Sequence, residues 1–173
     1  MPMPALQKPL LHRLPVPTPD GEFIALYSEL GLAELHFPAP AKVTNKTAAA
    51  SIPKQILSWH RRTAAAVKKI IAGQPADELP PLDVSRGTDF QQRVWRAMLP
   101  LRCGQTQSYS EIAKSIGKPK AVRAVGGACG ANPIPLLVPC HRVLAANRKI
   151  GGFSGGLEWK KKLLARESVP VVG

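Results

Sequence analysis

The sequence predicts a mixed α/β chain of the α+β kind, with a small N-terminal sheet-plus-helix unit followed by a mostly helical C-terminal unit. Three observations predict it. Two short runs of strand formers, residues 22–27 and 32–37, flank Glu29-Leu30-Gly31 and read as a hairpin. One apolar stripe of helical period, Ile52, Ile56, Trp59, Val67, Ile70 and Ile71, occupies residues 51–72. After a proline-bounded linker at residues 75–81, the chain breaks into short helical pieces opened by paired capping signals. The boundary is placed near residue 85, which gives units 1–85 and 86–173.

Taken in order, residues 1–20 are proline-rich and expected to be irregular, apart from an edge strand at 10–14. Residues 38–50, with Pro38, Pro40, Lys42, Lys46 and three alanines, read as a mobile loop. In the first helix Lys68 and Lys69 suit the last turn and Gly73 the cap. Thr88-Asp89-Phe90-Gln91 fits a capping box, with Phe90, Val94, Ala97 and Met98 on one face and Pro100 as the stop. Ser108-Tyr109-Ser110-Glu111 is a second box, opening a helix through Ile112, Ala113 and Ile116 to Gly117. The turn Lys118-Pro119-Lys120 then leads to a helix over 121–130 that carries Arg123 among small residues, a helix-turn-helix pattern. Gly126, Gly127 and Gly130 are poor helix formers. Close approach of a DNA backbone and tight packing against another helix explain them equally well.

Charge bears on the partner. The 173 residues carry a formal net charge of +13, distributed unevenly. Up to residue 100 there are 12 Lys/Arg against 8 Asp/Glu, and beyond it 12 against 3. The C-terminal unit is therefore expected to present a cationic surface suited to a polyanion such as nucleic acid. Cys103, Cys129 and Cys140 are odd in number and lack CxxC spacing, so neither a disulfide framework nor a cysteine zinc site is expected. His12, His36 and His60 are scattered, and no metal is expected. The sequence has no long apolar run and no secretory leader, so a cytoplasmic protein without membrane contact is expected.

Pro139-Cys140-His141-Arg142-Val143 carries the chemistry. A thiol attacks only as thiolate, a form favoured by nearby basic groups, and here an imidazole and a guanidinium follow it directly. Alone, such a pair is as well read as a buried structural cysteine with basic neighbours. Neighbouring residues in an extended segment also point apart, so a turn after Pro139 is needed to aim both side chains inward.

The run from Gly87 to Glu167 resembles the methylated-DNA–protein cysteine methyltransferases, the O6-alkylguanine–DNA alkyltransferases. The matching pieces are Gly87-Thr88-Asp89-Phe90-Gln91 with Val94-Trp95, Ser108-Tyr109 with Ile112-Ala113, and Lys120-Ala121-Val122-Arg123-Ala124-Val125-Gly126. Asn132-Pro133, Val138-Pro139-Cys140-His141-Arg142-Val143, Gly152-Phe153-Ser154-Gly155-Gly156-Leu157 and the stretch to Glu167 complete the set. The resemblance implies a ribonuclease H-like N-terminal domain and a winged-helix-like helix-turn-helix. It implies DNA repair by single-turnover transfer of an alkyl group from guanine O6, and from thymine O4, to an internal cysteine after base flipping. No cofactor is implied, and the partner is double-stranded DNA containing alkylated guanine, bound by a monomer in the cytoplasm, or in the nucleus of a eukaryote.

The same resemblance distributes roles. Cys140 is the alkyl acceptor, His141 the base acting through a water, Glu167 the carboxylate that orients it, and Tyr109 the phenol that donates to guanine N3. Arg123 is the finger that fills the place of the flipped nucleotide; read from its helix alone, it is as well a phosphate contact. Asn132 and Val138 fit the hinge and active-site turn, and Phe153, Ser154 and Gly155 a pocket wall. Gly130 stands where some members have a basic residue, and Phe153 where tyrosine is often found. Three other readings compete: a non-catalytic binder of alkylated DNA, a helix-turn-helix regulator and a cysteine hydrolase. Binders of that kind have Trp at the position of Cys140, regulators use further domains or a metal-bound second cysteine, and hydrolases place His far from Cys in sequence.

Overall fold

The computed structural model describes residues 10–40 and 51–173 and opens with three antiparallel strands. These are β1 (His12–Thr18), β2 (Gly21–Ser28) and β3 (Gly31–His36), with β2 central. β1 continues through Pro15 and Pro17, in a segment expected to be irregular beyond residue 14. An edge strand tolerates both prolines because half of its backbone donors have no ladder partner. The β2–β3 hairpin closes at Ser28↔Gly31, as its turn residues suggest. Gly31 has φ +151, and a Cβ there would run into the backbone carbonyl of Pro81.

Helix α1 (Lys54–Ile71) packs on all three strands. It starts after Pro53, whose ψ of 140 is extended, rather than at residue 51. Ile56, Trp59, Val67, Ile70 and Ile71 form its buried face together with Thr63 and Ala66. The linker after it is tied to the sheet: Leu32 N–H donates to Pro81 O (2.8 Å) and Asp83 N–H to Leu32 O (2.8 Å). Residues 38–40 have no regular structure, and the rest of the expected loop, 41–50, lies outside the described residues.

The C-terminal elements are α2 (Asp89–Met98), β4 (Gln107–Ser108), α3 (Tyr109–Ser115), α4 (Val122–Gly130), β5 (Val143–Leu144) and α5 (Leu157–Arg166). Both capping boxes close reciprocally, Thr88 with Gln91 and Ser108 with Glu111. Helices α2, α3 and α4 pack on one another, and the buried Trp95 Nε1–H donates to Ala128 O (2.8 Å), pinning α2 to α4. The parallel pairing of β4 with β5 has no counterpart in the sequence reading, since a two-residue strand carries no period. It sets the start of α3 beside the segment that follows Cys140.

One apolar core runs from Val16 and Phe23 in the sheet through Val94 and Ile112 to Leu163 in α5. Where sheet and α5 meet, Phe23, Phe37, Phe153 and Trp159 form an aromatic cluster with ring centroids 5.1–5.5 Å apart. Asp20 accepts from Arg166 (2.7 Å) and Lys162 (3.1 Å), and the Arg166 bond above all lowers its carboxyl to about 2. The charge expectation is corrected in part here. Arg142 and Lys160 are buried, and Lys162 and Arg166 pair with Asp20, so these four cations do not make a free cationic face.

Candidate active site

The segment between α4 and β5 delivers the thiol. Asn132, only 5% exposed, donates from Nδ2 to Val138 O (2.8 Å) and accepts at Oδ1 from Ile134 N–H (3.0 Å). This one side chain fixes the end of α4 to the approach to Cys140. Leu136, inside the tied segment, has φ +74, which few residues of its type adopt. Replacing Asn132 with Ala leaves the buried Ile134 N–H unpaired and removes one of the two donors to Val138 O, which keeps Cys140 N–H (2.8 Å), so we expect a loss of about 1–3 kcal/mol in urea unfolding. After Pro139 the chain makes a single 3-10 turn, Cys140–Arg142, closed by Arg142 N–H to Pro139 O (3.0 Å). The turn buries Cys140 (3% exposed) and His141 (0%) together, as an extended segment would not.

His141 Nε2 lies 3.0 Å from Glu167 Oε1. The same carboxylate accepts from Arg142 Nε and Nη2 (2.8–3.1 Å) and from Gly104 N–H (3.0 Å). Burial raises the Glu167 carboxyl, but the His141 and Arg142 hydrogen bonds outweigh it and bring it down to about 2. An ionised carboxylate only accepts, so Nε2 carries the imidazole proton and Nδ1 keeps its lone pair. Nδ1 is buried and has no hydrogen-bond partner among the described residues. Burial also lowers the His141 pKa, with Glu167 opposing, so the imidazole is neutral and can take a proton at that atom.

Arg142 does not stand beside the thiol, as adjacency in sequence suggests. Its remaining donor, Nη1, goes to Leu101 O (2.7 Å), so the guanidinium clamps Glu167 against the α2 end of the domain. Lys160 is the larger surprise. It belongs to the run Lys160-Lys161-Lys162, yet it is fully buried, donating to Val143 O (2.7 Å) and Gly152 O (3.0 Å). Burial lowers its pKa to about 8. Burial raises the Cys140 thiol to about 11, partly offset by the Asn132 amide and the Lys160 charge. Neither role had a signal in composition; the period of α5, which buries Lys160, Leu163 and Leu164, is the one available clue.

Tyr109, at the first position of α3, reaches the same place through the β4–β5 pairing. Burial raises its pKa, and its hydroxyl lies against Gly151, where a Cβ would meet it. Tyr109, Gly126, Gly130, Gly152, Phe153 and Ser154 line a cleft of about 410 Å³. Ser154 is exposed, Phe153 and Gly155 half-buried, and Val138 buried at 1% with its carbonyl held by Asn132.

Arg123 is exposed on α4 and makes no ion pair among the described residues. It shares the outward face with Ala124, Gly127 and Gly130. A Cβ added at Gly126, Gly127 or Gly130 would meet nothing within 4 Å. Tight packing against another described part of the chain is therefore not what these glycines serve. Lys114, Lys118 and Lys120 are exposed on α3 and the turn before α4. Among the described residues no cluster of three or more His, Cys, Asp or Glu is arranged to hold a metal ion.

Comparison with known proteins matches residues 89–169 to the family model described as 6-O-methylguanine DNA methyltransferase, DNA binding domain. The methylated-DNA–protein-cysteine methyltransferase of Mycobacterium tuberculosis is 55% identical over 95 residues, covering 53% of this chain and 58% of that protein. By sequence, then, the chain aligns with little more than half of that curated relative. The match of whole structures is wider. A crystal structure of the M. tuberculosis O6-methylguanine methyltransferase superposes with a TM-score of 0.69 at 35% identity, covering 95% of this chain and 97% of that one. A crystal structure of M. tuberculosis OGT in complex with DNA gives a TM-score of 0.68 at 35% identity, over 90% and 93%. With the N-terminal sheet included in a match of that extent, this chain belongs to the O6-methylguanine–DNA methyltransferase family.

Proposed function

We propose that this protein repairs DNA by moving the alkyl group of O6-alkylguanine irreversibly to Cys140, once per molecule. The observation that carries the reading is the single turn that buries Cys140 beside a His141 held by Glu167, with Nδ1 left free of any other duty. His141 takes the thiol proton through a water, and the Cys140 sulfur attacks the alkyl carbon opposite O6. The C–O bond breaks, its electron pair stays with the guanine, and Tyr109 supplies a proton at N3. The imidazolium returns its proton as Tyr109 is restored, and the product is S-alkylcysteine and guanine. A thioether is a very poor leaving group, so nothing regenerates the thiol. The relay shares its logic with hydrolase triads, Glu167 orienting the imidazole without itself being protonated. O4-alkylthymine presents a similar ether carbon and is assigned as a further substrate.

A thiol 3% exposed cannot reach a base inside a duplex, so the nucleotide must be flipped, at a cost of roughly a few kcal/mol. Arg123 enters the vacated place, and the Gly127 and Gly130 surface of α4 lets the DNA backbone come close. Phe153, Ser154 and Gly155 line the pocket, with Ser154 bonding O6, and Val138 and Asn132 hold the active-site turn. Arg123→Ala is expected to slow repair of duplex DNA while leaving alkylation of Cys140 by iodoacetamide at the wild-type rate. Repair by that variant at the wild-type rate would remove the finger from the account.

The finer fold reading belongs to the same proposal: a ribonuclease H-like domain over 1–85, and over 86–173 a winged-helix-like domain in which α3 and α4 form the helix-turn-helix. Among the described residues no helix is long and apolar enough to cross a membrane. We place the protein as a monomer with the DNA it repairs, in the cytoplasm or nucleoid of a bacterium or the nucleus of a eukaryote. The test is stoichiometry. Titrated against a duplex with one O6-methylguanine, the protein should clear one lesion per molecule and then stop. Continued turnover, or binding without loss of the lesion, contradicts the proposal.

A further inference from the structure

The wall of the 410 Å³ cleft is thin. Residues 153–155 face that cleft on one side through Phe153 and Ser154. On the other side Ser154 and Gly155 line a second, open groove of about 390 Å³, together with Phe37, His36, Pro133 and Pro135. The loop is thus a partition between two spaces of similar size. Its own backbone holds it weakly: Gly156 N–H bonds Phe153 O (3.1 Å), and Lys160 tethers Gly152 O before the wall begins.

What stops the partition from swinging into the groove is one side chain of the N-terminal unit. The Phe37 ring stands edge-on to Phe153 (5.5 Å, 79°) and leans on Trp159 (5.1 Å). Gly155 sits so close to that ring that an added Cβ would overlap it, at 2.5 Å from the nearest ring atom. The loop therefore rests directly on Phe37, and the width of the cleft follows from where that ring stands.

We infer that Phe37 sets the upper size of the alkyl group this protein accepts, by buttressing residues 153–155 from behind. This rests on the transfer reading above and adds its substrate class: the fixed wall favours methyl and other short alkyl groups, and a benzyl-sized group gains on them when the wall gives way. Phe37 touches no reacting atom and acts as a specificity-determining positioning residue. Shortening it frees the loop to move into the groove behind and joins the two spaces.

The experiment compares single-turnover transfer from duplexes carrying O6-methylguanine or O6-benzylguanine, for the wild type, Phe37→Ala and the milder Phe37→Leu. A purely structural role would slow both substrates alike and leave their ratio unmoved. Phe37→Ala should instead raise the benzyl-to-methyl rate ratio by about tenfold, in the range that packing contacts contribute to substrate choice, with Phe37→Leu between it and the wild type. If Phe37→Ala does not fold, the Leu variant alone decides. A ratio unchanged or lowered in a folded variant that still transfers methyl overturns the inference alone. A wild type that transfers neither group overturns the transfer reading, and this inference with it.

Discussion

Glu167→Gln should lose about 3–5 kcal/mol of stability, the usual cost of leaving one member of a buried ion pair uncompensated. The amide keeps the size of the carboxylate but removes the charge that Arg142 and His141 face and two of the lone-pair sites they and Gly104 use. Arg142 would stay buried, with two neutral carbonyls, Leu101 O and the new amide oxygen, in place of a carboxylate. Transfer should fall as well, since an amide, which both donates and accepts, no longer fixes the His141 tautomer as an acceptor-only carboxylate does. The pH dependence has a definite sign. The Glu167 carboxyl is held at about 2 against an ordinary 4.5, so its contribution is complete above about 4.5 and is lost as pH falls toward 2. His141 is held below its ordinary 6.5, so its protonation also favours the unfolded chain as pH falls. Both act in the same direction. Urea midpoints of the wild type should drop on acidification through the carboxylate range, and those of Glu167→Gln should start lower and drop less. A variant as stable as the wild type at neutral pH contradicts the clamp.

His141→Phe should separate chemistry from folding. The phenyl ring is one atom larger than the imidazole but carries no titratable nitrogen in this fully buried place, and the Arg142–Glu167 pair stays whole. Stability should fall by about 1.5–3 kcal/mol, the worth of one hydrogen bond to a charged group, with the larger ring adding to the loss. Transfer should fall by roughly 10²–10⁴-fold, the usual contribution of a positioned general base. The residual rate should then climb steadily with pH, because the thiol, raised to about 11 by burial, has no base to take its proton. A variant with the wild-type rate at neutral pH would show that the proton leaves by another route.

The local geometry around Cys140 was legible in the sequence where its parts are close along the chain. The capping boxes at Thr88 and Ser108 mark helix starts through bonds spanning three residues, and both form. Cys140 and His141 adjoin, so only the turn between them had to be inferred. What the sequence did not disclose depends on contacts between distant segments. Arg142 turns toward Glu167 and Leu101, not toward its neighbour's thiol, and Lys160 leaves its exposed lysine neighbours for a buried place between Val143 and Gly152. Composition counted both as surface charge. The prolines of β1 hid its continuation past residue 14, because edge position, which makes them harmless, is a property of the sheet. Phe37 read as the end of a hairpin, and its place behind the pocket wall appears only once α5 is packed on the sheet.

The measurement that bears most directly on Cys140 as alkyl acceptor is the mass of the intact protein after incubation with a duplex containing O6-methylguanine, followed by peptide mapping. The wild type should gain one methyl group, found on the peptide carrying Cys140, and Cys140→Ala should gain none. A folded wild type whose mass does not change, or a methyl group on Cys103 or Cys129 in place of Cys140, contradicts it.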